Sequence, residues 1–512
     1  MKVLLLNPRI STKLSTPQEK GPFSDIGENL GLGILSANLS KNNIENKIID
    51  LCLDDIPTNM ILDIITLEEY SLVGISIPSV LALQSALELY SQIKKSFPDI
   101  HITAGGHYAS IDAEKILLKD AFDSIIIDDG EDTIVELLIN LDNGEKWKTI
   151  DGLSYRRSYN EIVKNPPRAF KDIMDDIPFP NRSTLPLVLE KGGYASINTS
   201  KGCYGRCIFC SSASYLRSTQ NYKWRYRSAH NIVEEIEYLN STYSVKDFIV
   251  IDDCFIGVHK HCRKRALELA DLLIKKELDL RYLIMCKPEE IDKETISQLK
   301  NSGLRAVSMG IESGDQNVLN RLNRATKTEQ ITRALKIFRE NDIEVFIGLI
   351  PFDPDSSLEE IMNTIEFLYN EGILNISLFR KRMMIMPGSL IESTLIQANR
   401  LDNKKRYQIT DKKAEVLASI IETASAKFGG LLNNLLYVKK WDRVLERDSK
   451  RQMNKKTILL IVEYMINKKS YQILKRALSI VSLDNPEVID NEVILLEKEI
   501  EQLYEKVYNI LK

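Results

Sequence analysis

The chain has 512 residues, and its 44% hydrophobic and 27% charged residues are ordinary for a globular protein rather than a fibrous or disordered one. This length suggests roughly two to four domains. The 68 lysines and arginines against 72 aspartates and glutamates leave a net charge of -4. Such a balance supplies no electrostatic footprint for nucleic acid or for an anionic membrane, so we expect neither as a partner.

The cysteines are few and unevenly spread. Seven are too few for a disulfide scaffold of this length, and Cys203, Cys207 and Cys210 fall within eight residues while the other four are scattered. The apolar run Val3–Leu6 is too short for a signal-peptide core, and no run approaches the length of a membrane span. These features predict a cytoplasmic protein with reduced thiols.

Residues 1 to 150 alternate short apolar runs with helix-like stretches. Helices are predicted over Leu30–Leu39 and Leu81–Phe97. The predicted strands are Val3–Leu6, Lys47–Asp50, Leu72–Ile77, His101–Ala104 and Ser124–Ile127. This alternation predicts a doubly wound, Rossmann-like parallel sheet, and the ligands of such sheets bind beyond the carboxyl ends of the strands.

Residues 151 to 190 are rich in turn signals and are predicted to connect this domain to a second α/β domain, residues 191 to 395. Its predicted strands are Ala195–Asn198, Asp247–Ile251, Tyr282–Met285, Ala306–Met309, Glu344–Ile350 and Asn375–Phe379. Six units are too few for an eight-stranded barrel, so a partial (β/α)6 TIM-like barrel is expected.

Residues 396 to 512 show no strand pattern and are predicted to form a helical C-terminal region. Between Lys439 and Lys456 there are eight basic and three acidic residues. We interpret this run as a solvated helix face rather than a binding patch.

The segment from Gly202 to Cys210 carries the strongest chemical signal in the chain. Its cysteines, Cys203, Cys207 and Cys210, follow a predicted strand and are spaced by four and three residues, so they can converge around one cluster. A [4Fe–4S] cluster held by cysteine alone needs four ligands, so three would leave one iron with an open position. Such an iron can chelate the amino and carboxylate groups of a ligand and pass an electron to it.

Zinc is the main alternative for these cysteines. No second Cys-x-x-Cys pair and no nearby histidine completes a tetrahedral site, although His230, about twenty residues downstream, could serve as a fourth ligand. Buried packing cysteines do not normally cluster in a glycine-containing loop. The cluster interpretation is therefore favoured over zinc and over packing.

The Cys-x-x-x-Cys-x-x-Cys spacing, with Phe209 just before the last cysteine, resembles the signature of the radical S-adenosylmethionine (SAM) enzymes. The resemblance implies that Cys203, Cys207 and Cys210 bind a [4Fe–4S] cluster, that Phe209 lies by the cofactor, and that SAM binds the fourth iron. It also implies cleavage of SAM to a 5′-deoxyadenosyl radical, fed by an external electron donor such as flavodoxin or ferredoxin.

Carboxylates follow two further strands of this region. Asp252 and Asp253 could simply cap a helix, but their position resembles that at which the family holds the ammonium group of SAM. Glu312 lies in a Gly-Ile-Glu-Ser-Gly segment that resembles the family motif near the ribose or methionyl group of SAM. One departure is the segment 351–357, Pro-Phe-Asp-Pro-Asp-Ser-Ser, where many relatives have Gly-x-Pro-Gly-Glu-Thr.

The N-terminal region resembles the cobalamin-binding domain that is fused to many of these enzymes. Small residues at Ser76, Gly105 and Gly106 would let a bulky nucleotide tail approach the sheet. The Asp-x-His-x-x-Gly loop of domains that ligate cobalt through histidine is absent. We expect His101 to be a packed residue and His107 to line the pocket, so cobalamin would bind without a lower histidine ligand.

The resemblance implies a cobalamin-dependent methyltransferase acting on an unactivated carbon of a natural-product or peptide substrate. Radical cyclisation, rearrangement, oxidation or epimerisation without methyl transfer is the alternative. A non-catalytic metal-binding interaction protein is a further alternative, of another class. The sequence does not identify the small-molecule or peptide substrate.

Overall fold

The structure is a computed structural model that describes residues 1–10, 26–119, 121–158, 161–170, 173–212, 224–402, 404–481 and 486–512. The chain divides into two compact units. The N-terminal unit comprises the described residues up to Gly202 together with 224–245. The C-terminal unit comprises residues 203–212 and those from Lys246 onward.

The N-terminal unit is built on a seven-stranded sheet in the order β2-β1-β3-β4-β5-β6-β7. Its strands are β1 Lys2–Asn7, β2 Glu45–Asp50, β3 Leu72–Ser76, β4 His101–Gly105, β5 Ser124–Ile126, β6 Leu153–Ser158 and β7 Glu161–Lys164. Strands β1 to β5 are parallel, and β6 and β7 join antiparallel. The doubly wound sheet is confirmed. The two antiparallel strands extend it beyond residue 150 and were not expected.

Helices cover both faces of this sheet. They are α1 Leu30–Lys41, α2 Thr58–Glu68, α3 Val80–Ser96, α4 His107–Ile111, α5 Ala113–Leu117 and α6 Glu131–Asn140, with a 3₁₀ helix at Gly144–Thr149. The unit also contains α7 Leu185–Glu190 and α8 Ala229–Tyr243. In β1, Leu4 and Leu6 belong to one apolar cluster and Val3 and Leu5 to another, because successive side chains of a strand point to opposite faces. Every residue of the apolar run is therefore buried.

Three short strands end the N-terminal unit: β8 Ala195–Ile197, β9 Ser200–Lys201 and β10 Arg225–Tyr226. Strands β9 and β10 pair antiparallel, with Lys201 opposite Arg225. The cysteine segment begins directly after β9.

The C-terminal unit contains four parallel strands in the order β14-β13-β12-β11. They are β11 Asp247–Val250, β12 Arg281–Cys286, β13 Leu304–Glu312 and β14 Glu344–Leu349. The helices are α9 Lys260–Lys275, α10 Lys293–Asn301, α11 Gln316–Arg321, α12 Thr328–Glu340, α13 Leu358–Asn370, α14 Leu390–Gln397, α15 Lys412–Ser425, α16 Phe428–Leu445, α17 Ser449–Ile480 and α18 Pro486–Leu511. Two 3₁₀ helices lie at Pro288–Glu290 and Ile376–Phe379.

The strand expected at 375–379 is wrong, because most of these residues form the second of those 3₁₀ helices. The Asn375 side chain accepts a hydrogen bond from the Ser377 amide and so starts the turn. The Ile376 amide, which a strand would offer to a neighbouring strand, donates instead to Ser470 Oγ on α17 at 2.9 Å. The long helix α17 thus binds a backbone amide that a strand at this position would have donated to its neighbour.

Helix α16 covers β14. Tyr437 Oη and Lys440 Nζ lie 3.4 Å from the carbonyl oxygens of Ile347 and Val345, to which they donate. An uncovered edge strand would offer such groups to other chains. The helical C-terminal region is confirmed, and one of its roles is to cover this sheet.

The solvated face expected between Lys439 and Lys456 is wrong for part of the run. Arg443 is 6% exposed, and its guanidinium binds Glu344 at 2.6 Å and Asp342 at 2.9 Å. The helical period places such residues against the sheet, which composition alone does not reveal. Within the described ranges, no helix combines the length and the apolar character that a membrane span requires.

Candidate functional site

The cysteine segment forms a loop that brings two of its sulfurs close to Gly205. Cys207 is buried, and Cys203 and Cys210 are partly buried. The Gly205 amide donates to Cys203 Sγ at 3.3 Å. A Cβ at Gly205 would lie 2.9 Å from Lys287 Nζ, 3.3 Å from Cys203 Sγ and 3.7 Å from Cys207 Sγ, so the two sulfurs and the ammonium group converge on a position that only glycine leaves clear.

A lysine stands against the first of these sulfurs. Lys287 follows β12, and its Nζ donates to Cys203 Sγ at 2.9 Å and lies 3.7 Å above the ring of Tyr204. Tyr204 Oη in turn donates to Glu290 Oε1 at 2.6 Å. Glu290 is fully buried, and burial raises the pKa of its carboxyl.

An arginine approaches the second sulfur. Arg324 Nη1 lies 3.7 Å from Cys207 Sγ, and its Nη2 donates to the Gly310 carbonyl at 2.8 Å. Burial raises the pKa of the Cys207 thiol, and the charge of Arg324 opposes that shift. Two cations therefore border the cysteine loop.

The Glu312 carboxylate lies beside Arg324, at 3.9 Å from Nη2. Burial raises the pKa of Glu312, with Arg324 acting in the opposite direction. Its backbone has φ +65°, a left-handed conformation that side-chain-bearing residues rarely adopt. Such conformations cluster at functional sites, since the surrounding structure must hold them in place.

The two aspartates after β11 are placed differently from each other. Asp252 is fully buried and Asp253 is exposed. Neither caps a helix, because the next helix, α9, begins eight residues later with His259 at its N-cap. The helix-cap alternative for these aspartates is therefore wrong. Cys254 beside them is buried and donates to Glu290 Oε1 at 3.0 Å, and burial raises its pKa.

Phe209 is partly buried and packs against the apolar cluster shared with the C-terminal helices. Its neighbour Cys210 closes a turn by donating its amide to the Cys207 carbonyl at 3.4 Å. Phe209 thus supports the loop from the protein side.

The donor set fits an iron–sulfur cluster better than one zinc ion. Within the part of the chain that the structure describes, no three His, Cys, Asp or Glu side chains are placed to hold a single metal ion. A structural zinc ion needs four ligands at about 2.0–2.3 Å. The cysteines of a [4Fe–4S] cluster bind separate irons and can stand further apart. Two of the sulfurs converge beside Gly205 and each is contacted by a cation, which suits such an anionic group.

The loop after β14, where the sequence departs from the family pattern, is held by an arginine. Arg321 binds Asp353 Oδ2 and Glu360 Oε2, each at 2.9 Å. Asp353 is 1% exposed and also accepts from Ser356 Oγ at 2.8 Å. In this chain the loop is therefore built around a buried ion pair.

In the N-terminal unit, a hydrogen-bonded row joins the carboxyl ends of β1, β2 and β3. Asn7 Nδ2 donates to Asp50 Oδ1 at 2.9 Å, and Asn29 Nδ2 donates to Asn7 Oδ1 and to Ser76 Oγ at 2.9 and 3.0 Å. This edge lies where the strand order reverses between β1 and β3, the usual ligand position in such sheets. Ser76 is thus a fixed part of the expected site.

Gly105 and Gly106 end β4 for different reasons. Gly106 has φ +103°, and a Cβ there would lie 3.1 Å from the Ile77 carbonyl, so the turn itself requires glycine. A Cβ at Gly105 would come no closer than 3.7 Å to its neighbours, so the protein does not require glycine there.

His101 and His107 are both partly buried. His101 Nε2 bonds to Ser124 Oγ at 2.9 Å and its ring meets Trp147 edge to face, while burial lowers its pKa to about 4. These contacts match a packed residue. His107 begins α4 beside Gly106, and burial lowers its pKa too.

The structure adds residues that the sequence analysis did not assign to a site: Lys287, Glu290 and Arg324. One local signal was present, since Lys287 directly follows a buried strand at its carboxyl end. Glu290 and Arg324 have no such signal. His230, the possible zinc ligand, is exposed on α8.

The comparisons with known proteins agree with this geometry. Residues 197–368 match the radical SAM superfamily and residues 22–138 match the B12 binding domain. An uncharacterized methyltransferase from Pyrococcus horikoshii is 27% identical over 372 residues, which are 72% of this chain and 77% of that protein.

One further relative is similar in sequence, and one solved structure is similar in fold. The anaerobic magnesium-protoporphyrin IX monomethyl ester cyclase of Rubrivivax gelatinosus is 26% identical over 311 residues, 58% of this chain and 53% of that protein. The chain thus spans about half of that relative. The solved structure of the cobalamin-dependent SAM radical enzyme OxsB with aqua-cobalamin bound is 18% identical, with a TM-score of 0.77 over 99% of this chain and 80% of that one.

The cysteine loop, the strained glutamate and the two matched domains agree with one another. The chain thus contains a domain of the radical SAM superfamily, residues 197–368, and a B12 binding domain, residues 22–138.

Proposed function

We propose that the protein is a cobalamin-dependent radical SAM methyltransferase that acts on an unactivated carbon of a natural-product or peptide substrate. The observation that carries the proposal is the presence of a radical SAM domain and a B12 binding domain in one chain. The methyltransferase from Pyrococcus horikoshii supports methyl transfer, and OxsB supports cobalamin as the second cofactor.

In the C-terminal unit, Cys203, Cys207 and Cys210 would hold a [4Fe–4S] cluster. Glu312, Asp252 and Asp253 at the strand ends would bind the hydroxyl and ammonium groups of SAM. Bound there, the cluster and SAM supply an electron and a radical that abstracts hydrogen, while cobalamin supplies the methyl group. The protein holds the carboxylates in place, and Phe209 supports the loop.

In the N-terminal unit, Ser76, Gly105 and Gly106 would border cobalamin. The open side of Gly105 and the polar row ending at Ser76 support this assignment. His101 is already engaged by Ser124 and Trp147, so we propose that it does not bind cobalt.

The proposal includes partners and a compartment. A radical SAM enzyme needs an electron donor, and flavodoxin or ferredoxin would serve here. None of the seven cysteines, all of which lie in the described ranges, forms a disulfide, which supports action in the reducing cytoplasm. We further propose functional domains at residues 1–150 and 191–395, joined by the connector 151–190 and followed by the helical region 396–512.

Reconstitution tests the proposal without a known substrate. The full chain, loaded with iron, sulfide and hydroxocobalamin under anaerobic conditions, is desalted and given SAM and dithionite. We expect about one corrinoid per chain by absorbance and formation of 5′-deoxyadenosine by chromatography. Cleavage of SAM without any retained corrinoid would exclude the cobalamin part, and absence of both would exclude the proposed function.

Radical cyclisation without methyl transfer is a second candidate, because the cyclase of Rubrivivax gelatinosus is a relative. The mass of the product separates the two, since methylation adds the mass of one methylene and cyclisation does not. Candidate substrates come from the products of neighbouring genes, where a short peptide or a biosynthetic pathway would indicate the class.

A further inference from the structure

Lys287 occupies an unusual position for a lysine. It is 7% exposed, directly follows β12 and stands at the N-cap of the 3₁₀ helix Pro288–Glu290. Its ammonium group lies 2.9 Å from Cys203 Sγ and 3.7 Å above the ring centre of Tyr204. The nitrogen thus sits between a candidate cluster ligand and an aromatic face, both from the same loop.

Glu290 holds this arrangement in place. Its Oε2 accepts from the Lys287 amide at 3.1 Å, and its Oε1 accepts from Tyr204 Oη at 2.6 Å. Glu290 is fully buried, so both bonds are shielded from water. One carboxylate therefore fixes the backbone of the lysine and the ring beneath its ammonium group.

The Arg324 guanidinium is a less direct partner for sulfur. It lies 3.7 Å from Cys207 Sγ, and its other nitrogen is engaged by the Gly310 carbonyl. Of these two cations, Lys287 makes the shorter contact with a cysteine sulfur, at 2.9 Å.

We propose that Lys287 is a positioning residue that donates an N–H···S hydrogen bond to Cys203 and thereby raises the reduction potential of the bound cluster. The proposal rests on the proposed function, because it requires the [4Fe–4S] cluster. Reduction adds one electron from the external donor to the cluster and makes or breaks no covalent bond. A cation beside a ligand sulfur stabilises the more negative, reduced form, and hydrogen bonds to sulfur are known to tune such potentials.

The test compares Lys287→Met with the wild-type protein, both reconstituted with iron and sulfide. Iron content and circular dichroism establish that cluster and fold are present. The reduced cluster is then followed by electron paramagnetic resonance while dithionite sets the potential, without SAM. We expect Lys287→Met to hold normal iron and to show about a tenfold lower ratio of reduced to oxidised cluster, a shift of about 59 mV to more negative potential.

Two variants calibrate the result. Lys287→Gln keeps a neutral hydrogen-bond donor, so we expect its reduction potential to shift less, in the same direction. If Lys287→Met binds no iron, Lys287→Gln is used for the measurement instead. Lys300→Met removes a partly buried lysine that donates to the Asp342 carbonyl at 2.8 Å, and we expect the wild-type potential.

An unchanged reduction potential in both Lys287 variants would overturn the proposal. If SAM binding alone weakened in those variants, Lys287 would act on SAM rather than on the cluster, and the proposal would be overturned too. An equal shift in Lys300→Met would overturn it as well. Failure of the wild-type protein to bind a cluster would contradict the proposed function instead.

Discussion

Glu312 illustrates how much a single residue can be constrained at this site. Its backbone is left-handed, and its carboxylate lies beside Arg324 at the end of β13. The space for that carboxylate is provided by Gly310, where a Cβ would collide with Glu312 Oε1. Adding a methyl group at residue 310 therefore tests directly whether the position of the Glu312 carboxylate matters.

We expect Gly310→Ala to fold normally, because only the flexible end of Glu312 must move, but to bind SAM at least tenfold more weakly. Gly348 on β14 lies opposite Gly310 in the sheet. A Cβ added at Gly348 would lie 3.6 Å from the nearest neighbouring atom. Gly348→Ala is thus a matched control that should bind SAM normally. Equal affinities in both variants, measured by equilibrium dialysis, would show that Glu312 does not contact SAM.

His101 predicts a pH dependence of stability. Burial lowers its pKa from 6.5 to about 4, so between these values the unfolded chain binds a proton that the folded protein does not. Stability therefore falls as the pH drops through this range, by up to about 3 kcal/mol from this residue.

The check is urea unfolding of the wild-type protein and of His101→Phe between pH 7 and 4.5. The phenyl ring can keep the contact with Trp147, and Ser124 Oγ keeps its bond to Thr103. We expect the variant to lose less stability on acidification and to retain corrinoid. Parallel acid profiles would contradict the burial of a neutral imidazole, and loss of corrinoid would contradict a packing role.

At the scale of elements, α16 is joined to β14 by buried charge. Arg443 binds Glu344 and Asp342. Arg447, just beyond the end of α16, binds Asp247 and Asp279 with 35% of its side chain exposed. The two arginines make similar ion pairs at different depths. Comparing the stabilities of variants at these two arginines therefore separates the effect of burial from the effect of ion pairing.

We expect Arg443→Met to lower the free energy of unfolding by about 3 kcal/mol, because the largely buried Glu344 loses its partner at 2.6 Å and keeps Lys440 at 3.8 Å. Asp342 is partly exposed and keeps its ion pair with Lys456. Arg447→Met should cost at most about 1 kcal/mol, because water screens an exposed pair. Thermal and urea unfolding provide the comparison. Similar losses in both variants would mean that Arg443 is not buried in solution.

At the scale of the whole molecule, each unit contains its own candidate cofactor site. The triple variant Cys203→Ala, Cys207→Ala, Cys210→Ala should lose the iron–sulfur absorbance and SAM cleavage. It should keep corrinoid, because Ser76, Gly105 and Gly106 lie in the other unit. Absorption spectra of the reconstituted proteins report both cofactors. Retained iron would show that other residues bind the cluster.

Much of this architecture is predictable from local patterns. The alternation of strands and helices, the partial barrel and the helical C-terminal region follow from hydrophobic periodicity, which each element displays within its own residues. The segment 375–379 shows the limit, because its alternating pattern is that of a strand. The amide of Ile376 in this segment instead donates to Ser470, which lies 94 residues further along the chain.

The sequence by itself determined the family, since three cysteines at spacings of four and three form a local signature. Only the tertiary structure decided what surrounds them. Lys287 meets Cys203 across 84 residues, because β12 ends beside the cysteine loop. Arg324 meets Cys207 across 117 residues. Contacts at such separations depend on how strands align and helices pack, so no local pattern of residues can reveal them.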